Sequence, residues 1–289
     1  MGKILSRTGE CVGSIATPKT AAAIPATGND FIDQSHDALV RQVRTLKDQC
    51  HTGAERAEMA PEFTAFVGNV TGHFRHEETI LRAIGYNGWS EHAGQHDVMV
   101  EQMDRLVAYL SECDCAPGFM GTVADTLDAV LCQHEGRLDA AHAGVIAVHS
   151  HITPGESLIA WGDGLSTGVD SVDVQHRALA DSINTLYRLG RSDALTRAEE
   201  ESMLLHLLYD LQVHFVEEEA LIRHNVPVAR YLQHERHHQA LERQLEHVSR
   251  LVSTGTVNLA ALTGGFLRFW LIDHIVGADR PLLLGRNNA

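Results

Sequence analysis

The stretch LLHLLYDLQVHFVEEEALI, residues 204–222, decides how this chain is to be read. Leu204, Leu207, Leu208, Leu211, Phe215, Leu221 and Ile222 recur at the spacing of one helix face, and an apolar face of that width has to be buried. His214 and Glu218, four residues apart, fall on the same stripe. An imidazole and a carboxylate are therefore aimed into a core, where each costs free energy unless it finds a partner.

Partners of the same kind lie on both sides. His234 and His238 run on into Leu241, Leu245, Val248 and Val252, which places two more imidazoles on the core side of a long helix. His176 lies upstream, and His274 with Asp279 downstream. The whole set recurs earlier in the chain. Thr27–His36 (TGNDFIDQSH) echoes Thr167–His176 (TGVDSVDVQH) at a shift of 140. His73 and Glu77 precede His214 and Glu218 by 141, and His92 and His96 precede His234 and His238 by 142. His134 and Asp139 precede His274 and Asp279 by 140. So many matches in register mark a duplication rather than chance.

The predicted fold is all-α, with two tandem up-down four-helix bundles. Helices are expected at 31–50, 60–84, 89–112 and 118–146, then at 171–190, 197–224, 228–253 and 257–280. A flexible N-terminal arm (1–27) leads into bundle 1 (28–150) and bundle 2 (151–289). Pro154, Gly155, Gly162, Gly164 and Gly168 break the periodicity between them. Asp30 and Asp170 read as helix caps, and Asp33 and Asp173 complement the helix dipole. Alternating strand patterns are missing.

Composition narrows the function. A net charge of −15 disfavours nucleic acid as a partner. No continuous apolar run approaches the roughly 20 residues of a membrane span, and the N-terminal arm lacks the apolar core of a secretory signal. Five scattered cysteines, an odd number, suit a reducing cytoplasm rather than a disulfide framework, and Cys113 and Cys115 read as loop. Histidine, at 19 residues, is the abnormal quantity.

In a helical bundle, inward side chains from facing helices converge on the axis, and metal sites are built there. Each half contributes seven candidate ligands, enough for two ions. They are His36, His73, Glu77, His92, His96, His134 and Asp139 in the first half, and His176, His214, Glu218, His234, His238, His274 and Asp279 in the second.

One His, then HxxxE, HxxxH and HxxxxD in chain order, resembles the hemerythrin family from Thr27 to Asp279. The second half is the nearer match, with Trp161 ahead of its first helix and Trp270 before His274. The resemblance implies two non-haem di-iron centres, four irons in all, bridged by carboxylates and an oxo or hydroxo group. His92, His96 and His134 would hold a closed iron and His36 and His73 an open one, with Glu77 and Asp139 bridging. His234, His238 and His274, then His176 and His214, with Glu218 and Asp279, would repeat this. The implied role is reversible O2 binding for carriage, storage or sensing, by a metalloprotein that is not an enzyme. The alternative is a di-iron enzyme turning over nitric oxide, peroxide or O2. Phe74, Leu131, Phe215, Trp270 and Leu271 are candidates for an apolar lining around the ligand.

The first half departs from this pattern at three points. Val130 stands where the second half has Trp270, Glu135 stands where it has Ile275, and no Trp precedes the first helix. A more polar pocket that holds oxygen less durably is expected there.

Two other metal chemistries fit less well. His234-Glu235-Arg236-His237-His238 matches HExxH, but the repeat has Ala93 in place of the Glu. A ferritin-like oxidase needs more carboxylates than either half supplies. The remaining histidines, His51, His76, His142, His149, His151, His206, His224, His237 and His247, read mostly as surface residues.

Overall fold

The computed structural model describes residues 26–112, 118–152, 157–192 and 195–284. Nearly all of the arm assigned to residues 1–27 lies outside these residues, as do Cys113, Cys115, Pro154 and Gly155.

Four helices form the first half: α1 (Asp30–His51), α2 (Arg56–Ala83), α3 (Trp89–Glu112) and α4 (Phe119–Arg137). A 3-10 turn at Asp139–Ala141 and a short helix α5 (Ala143–Ser150) follow. The second half has α6 (Asp170–Gly190), α7 (Arg197–Ile222), α8 (Val228–Ser253) and a final helix spanning Leu259–Leu284. Among the described residues there is no strand. Each half is an antiparallel bundle in which consecutive helices are neighbours and the last packs against the first.

Local chemistry sets the helix starts. Asn29, not Asp30, caps α1, its side chain accepting from the Phe31 and Ile32 amides at 3.1 and 3.2 Å. Asp30 and Asp170 are instead the first helical residues, so the capping expectation is corrected there. Asp33 and Asp173 reach back to accept from the amide and hydroxyl of Thr27 and Thr167, at 2.7 to 2.8 Å. The two side chains thereby fasten each entry turn to the helix that bears the first His. Thr196 and Glu199 form a reciprocal capping box on α7.

One expected helix, 118–146, is broken at Leu138. The corresponding final helix runs on, but through two π-helical stretches, Thr263–Leu267 and Ile275–Asp279. Both deviations answer the same geometric demand. Residues five apart on a regular α-helix point about 140° away from each other, so HxxxxD cannot converge on a straight one. The final helix absorbs one residue in a π bulge and keeps Asp279 on the core side. The first bundle ends its helix and starts a tighter turn at Asp139.

The bundles are docked, not strung apart. Phe31, Ile32, Ile80, Leu81 and Ile146 of the first half belong to the same buried cluster as Leu245, Phe266, Trp270 and Ile275 of the second. Phe31 stacks on Phe266 with ring centroids 5.1 Å apart, and the Asn29 amide donates to the Gly265 carbonyl at 2.9 Å. Gly265 has to be glycine at this crossing, because an added Cβ would meet Asn29 and Phe31 at 2.6 Å. The final helix is long and apolar enough to cross a membrane, although no continuous apolar run in the sequence is. In this fold 83% of its apolar window is buried, which is the position of a core helix.

Candidate metal centres

All fourteen expected ligands are buried, none more than 5% exposed. In the first bundle, α1 supplies His36, α2 His73 and Glu77, α3 His92 and His96, α4 His134, and the 3-10 turn Asp139. Ligand atoms of Glu77, His92, His96, His134 and Asp139 all lie within 4.8 Å of one another. His134 Nε2 is 3.0 Å from Asp139 Oδ1, His96 Nε2 is 2.9 Å from His134 Nε2, and His92 Nε2 is 3.3 Å from Glu77 Oε2. His36 Nε2 approaches Asp139 Oδ2 at 3.7 Å, so this carboxylate faces both sides of the site. His36 and His73 form a second group, whose third member is Glu135.

The second bundle repeats the convergence more evenly. His176, His214, His274 and Asp279 form one group, and Glu218, His234, His238 and Asp279 the other, with Asp279 common to both. His176 and His274 Nε2 each stand 3.1 Å from Asp279 Oδ2, and His234 and His238 Nε2 stand 3.0 and 3.2 Å from Glu218 Oε2. His274 Nε2 is also 3.4 Å from His214 Nε2, which groups it here with the imidazoles of α6 and α7.

These residues fit a pair of metal ions. Nitrogen and oxygen ligands bound cis to one ion at about 2.1 Å stand roughly 3 Å apart, which is the spacing seen. Close as they stand to one another, many of the same atoms make no hydrogen bond among the described residues: both nitrogens of His36 and His73, both oxygens of Asp139 and Asp279, Glu218 Oε1 and His238 Nε2. Orphaned buried polar atoms are rare in folded proteins because each forfeits its hydration.

Electrostatics agree. Burial lowers His176 to about 4 and His214 to about 3, and it pushes His73 and His274 well below the ordinary imidazole range. These four imidazoles are thus neutral at pH 7, each with a lone pair free for a metal. Against the effect of burial, hydrogen bonds from His142, His92 and His96 hold Glu77 well below the usual carboxylate range. Asp279 is pushed well above it by burial and the neighbouring Glu218. Two carboxylates in one dry site repel, and a cation between them relieves the repulsion.

Each centre has an outer layer of groups that orient the imidazoles. His96 Nδ1 pairs with Glu78 at 2.9 Å and His238 Nδ1 with Glu219 at 2.8 Å. Burial would lower His96, but Glu77 and Glu78 raise it to about 9. His214 Nδ1 pairs with Gln175 at 3.0 Å. The two carboxylates recur at the 141-residue shift directly after Glu77 and Glu218, a sequence signal that reading for ligands alone passes over. Phe74 stacks on His96 at 4.0 Å and Phe215 on His238 at 4.1 Å, while Leu131, Trp270 and Leu271 are fully buried. Trp161 sits 6.4 Å from His176.

Several histidines expected at the surface are inside. His142 is 1% exposed, and its Nε2 pairs with Glu77 Oε1 at 2.7 Å, adding an eighth imidazole-or-carboxylate group to the first centre. Leu282 holds the equivalent place in the second bundle, so a search for repeats cannot find His142. Buried His76 and His247 stack at 5.0 Å between the bundles, where α2 and α8 approach across Gly72. A cleft of ≈ 410 Å³ at this seam is lined by Ser35, Leu39, Asn69, His73, His76 and His247 among others, and it reaches the first centre at His73. Glu135 is 1% exposed with both oxygens unpartnered. Burial and the charges of Asp139, Glu77 and Asp37 push its carboxyl up to about 9.

Fold and site together define a tandem metal-binding bundle protein with a buried cluster of imidazoles and carboxylates in each half. The family described as Hemerythrin HHE cation binding domain matches residues 27–137 and 167–283, and the chain belongs to this hemerythrin family. The first match stops at the helix break before Asp139, and the second runs through Asp279. A bacteriohemerythrin of Methylococcus capsulatus (strain ATCC 33009 / NCIMB 11132 / Bath) is 33% identical over 79 residues, which is 27% of this chain and 60% of that relative. No solved structure matches the chain.

Proposed function

We propose that this protein binds O2 reversibly at two non-haem di-iron centres, one in each bundle. The observation that carries the reading is the recurrence, in two bundles, of five buried imidazoles and two buried carboxylates whose ligand atoms converge, several of them with no hydrogen bond among the described residues. Imidazole-rich sites with few carboxylates suit iron that cycles between two oxidation states, and a ferrous pair supplies the electrons for holding and releasing a diatomic ligand.

The chain's own part is to hold the ligands in place and keep water out. Glu78 and Glu219 fix the tautomer and ring plane of His96 and His238, and Gln175 does so for His214. Phe215, Trp270, Leu271 and Ile275, all buried, wall the second centre with apolar surface. Exclusion of water and protons protects a bound ligand from side reactions. Half-buried free thiols at Cys50 and Cys132 accord with a reducing, cytoplasmic setting.

The reading is tested on the full chain loaded with ferrous iron. An oxygen-dependent absorption band should appear in air, vanish under vacuum and return over repeated cycles. Sustained consumption of O2, peroxide or nitric oxide with a reductant, and no reversible band, would replace it with an enzymatic role.

A further inference from the structure

Resting on the di-iron part of the reading above, and confining its reversible O2 binding to the second bundle, we infer that Glu135 is an additional metal ligand in the first bundle, closing the coordination position beside His36 and His73 that the second bundle leaves open. The two centres would then differ in kind. The second would accept an external small ligand, and the first would hold its metals in a set saturated by the protein.

Three observations converge on this. Glu135 carboxylate oxygen lies within 4.8 Å of ligand nitrogens of both His36 and His73. It is 1% exposed, and neither oxygen has a hydrogen-bond partner among the described residues. The four imidazole nitrogens of His36 and His73 make no hydrogen bond there either, His36 Nε2 standing 3.7 Å from Asp139 Oδ2. A buried carboxylate aimed at two unpaired imidazoles is left uncompensated by the protein alone, and a shared cation satisfies all three. Ile275 takes the equivalent place in the second bundle, next to His274 as Glu135 is next to His134, and it is fully buried with no donor to offer.

The cleft between the bundles has His73 in its lining and so lies against this side of the first centre, although the ring nitrogens themselves are buried. Substitution of Glu135 separates a filled position from a closed path.

The test uses the full chain, loaded with iron and oxidised, with azide as the probe and its charge-transfer band as the readout, alongside iron analysis of each sample. Wild type should take up azide at the second centre alone, and Glu135→Ile should raise the uptake about twofold at unchanged iron content. Glu135→Gln, nearly isosteric, guards against misfolding and should raise uptake as well. Ile275→Glu should abolish azide binding at the second centre. Equal azide uptake by wild type and both Glu135 variants, with iron present at both centres, overturns the inference and leaves the di-iron reading intact. A chain that holds iron at neither centre overturns both.

Discussion

The Arg82 guanidinium of α2 reaches across the bundle seam to the Asp273 carboxylate at 3.0 Å, one residue before the candidate ligand His274. The contact links the helix that carries His73 and Glu77 to the segment that positions the last imidazole of the other centre. Asp273 is largely buried, and burial already pushes its carboxyl upward against the pull of Arg82. Arg82→Ala leaves that carboxylate without its counter-charge and is expected to cost about 1–3 kcal/mol. Urea unfolding should show the loss, and Asp273→Asn in the Arg82→Ala background should recover part of it in a double-mutant cycle.

The π bulge at Ile275–Asp279 can be tested by changing its length. Inserting one alanine between His274 and Asp279 rotates the carboxylate by about a further 100° and should remove metal from the second centre, leaving roughly half of the total. Deleting Gly277 makes the spacing HxxxD, which a straight helix satisfies, so metal binding should survive. Metal analysis of the two variants distinguishes these outcomes.

Glu219 touches no expected ligand atom, yet its bond to His238 Nδ1 sets the ring that faces Glu218. Glu219→Ala should weaken metal binding at the second centre by about 10–100-fold, and Glu219→Gln should restore part of the loss by accepting the same hydrogen bond. Competition with a chelator measures both.

His247 provides a pH prediction away from the metal. Burial, with Arg250 nearby, lowers it to about 4, below the ordinary 6.5 that it regains on unfolding. Between these values the unfolded chain binds a proton that the folded chain does not. The contribution of His247 to stability is therefore complete above pH 6.5 and declines as pH falls toward 4. His247→Phe keeps the stack on His76 and should flatten the dependence of unfolding free energy on pH in that window by up to about 1.4 kcal/mol per unit. An unchanged slope in denaturation curves from pH 6.5 to 4 would refute the assignment.

The sequence alone determined the bundle architecture and singled out the fourteen candidate ligands, through apolar stripes carrying His214, Glu218, His234 and His238 and their recurrence at nearly constant shifts. Helical periodicity is local, so it reports which side chains share a face without any knowledge of neighbours. Only the tertiary structure decided how HxxxxD converges, by a π bulge at Asp279 and by a helix break at Asp139. It alone placed His142 on Glu77, paired Glu78 and Glu219 with imidazoles, and put His76 and His247 in a seam between docked bundles. Those contacts join residues distant along the chain, and burial depends on what the opposite surface brings. Glu135 shows the limit most clearly: its replacement of an apolar residue is visible in the sequence, but its aim at His36 and His73 exists only once α1, α2 and α4 are packed.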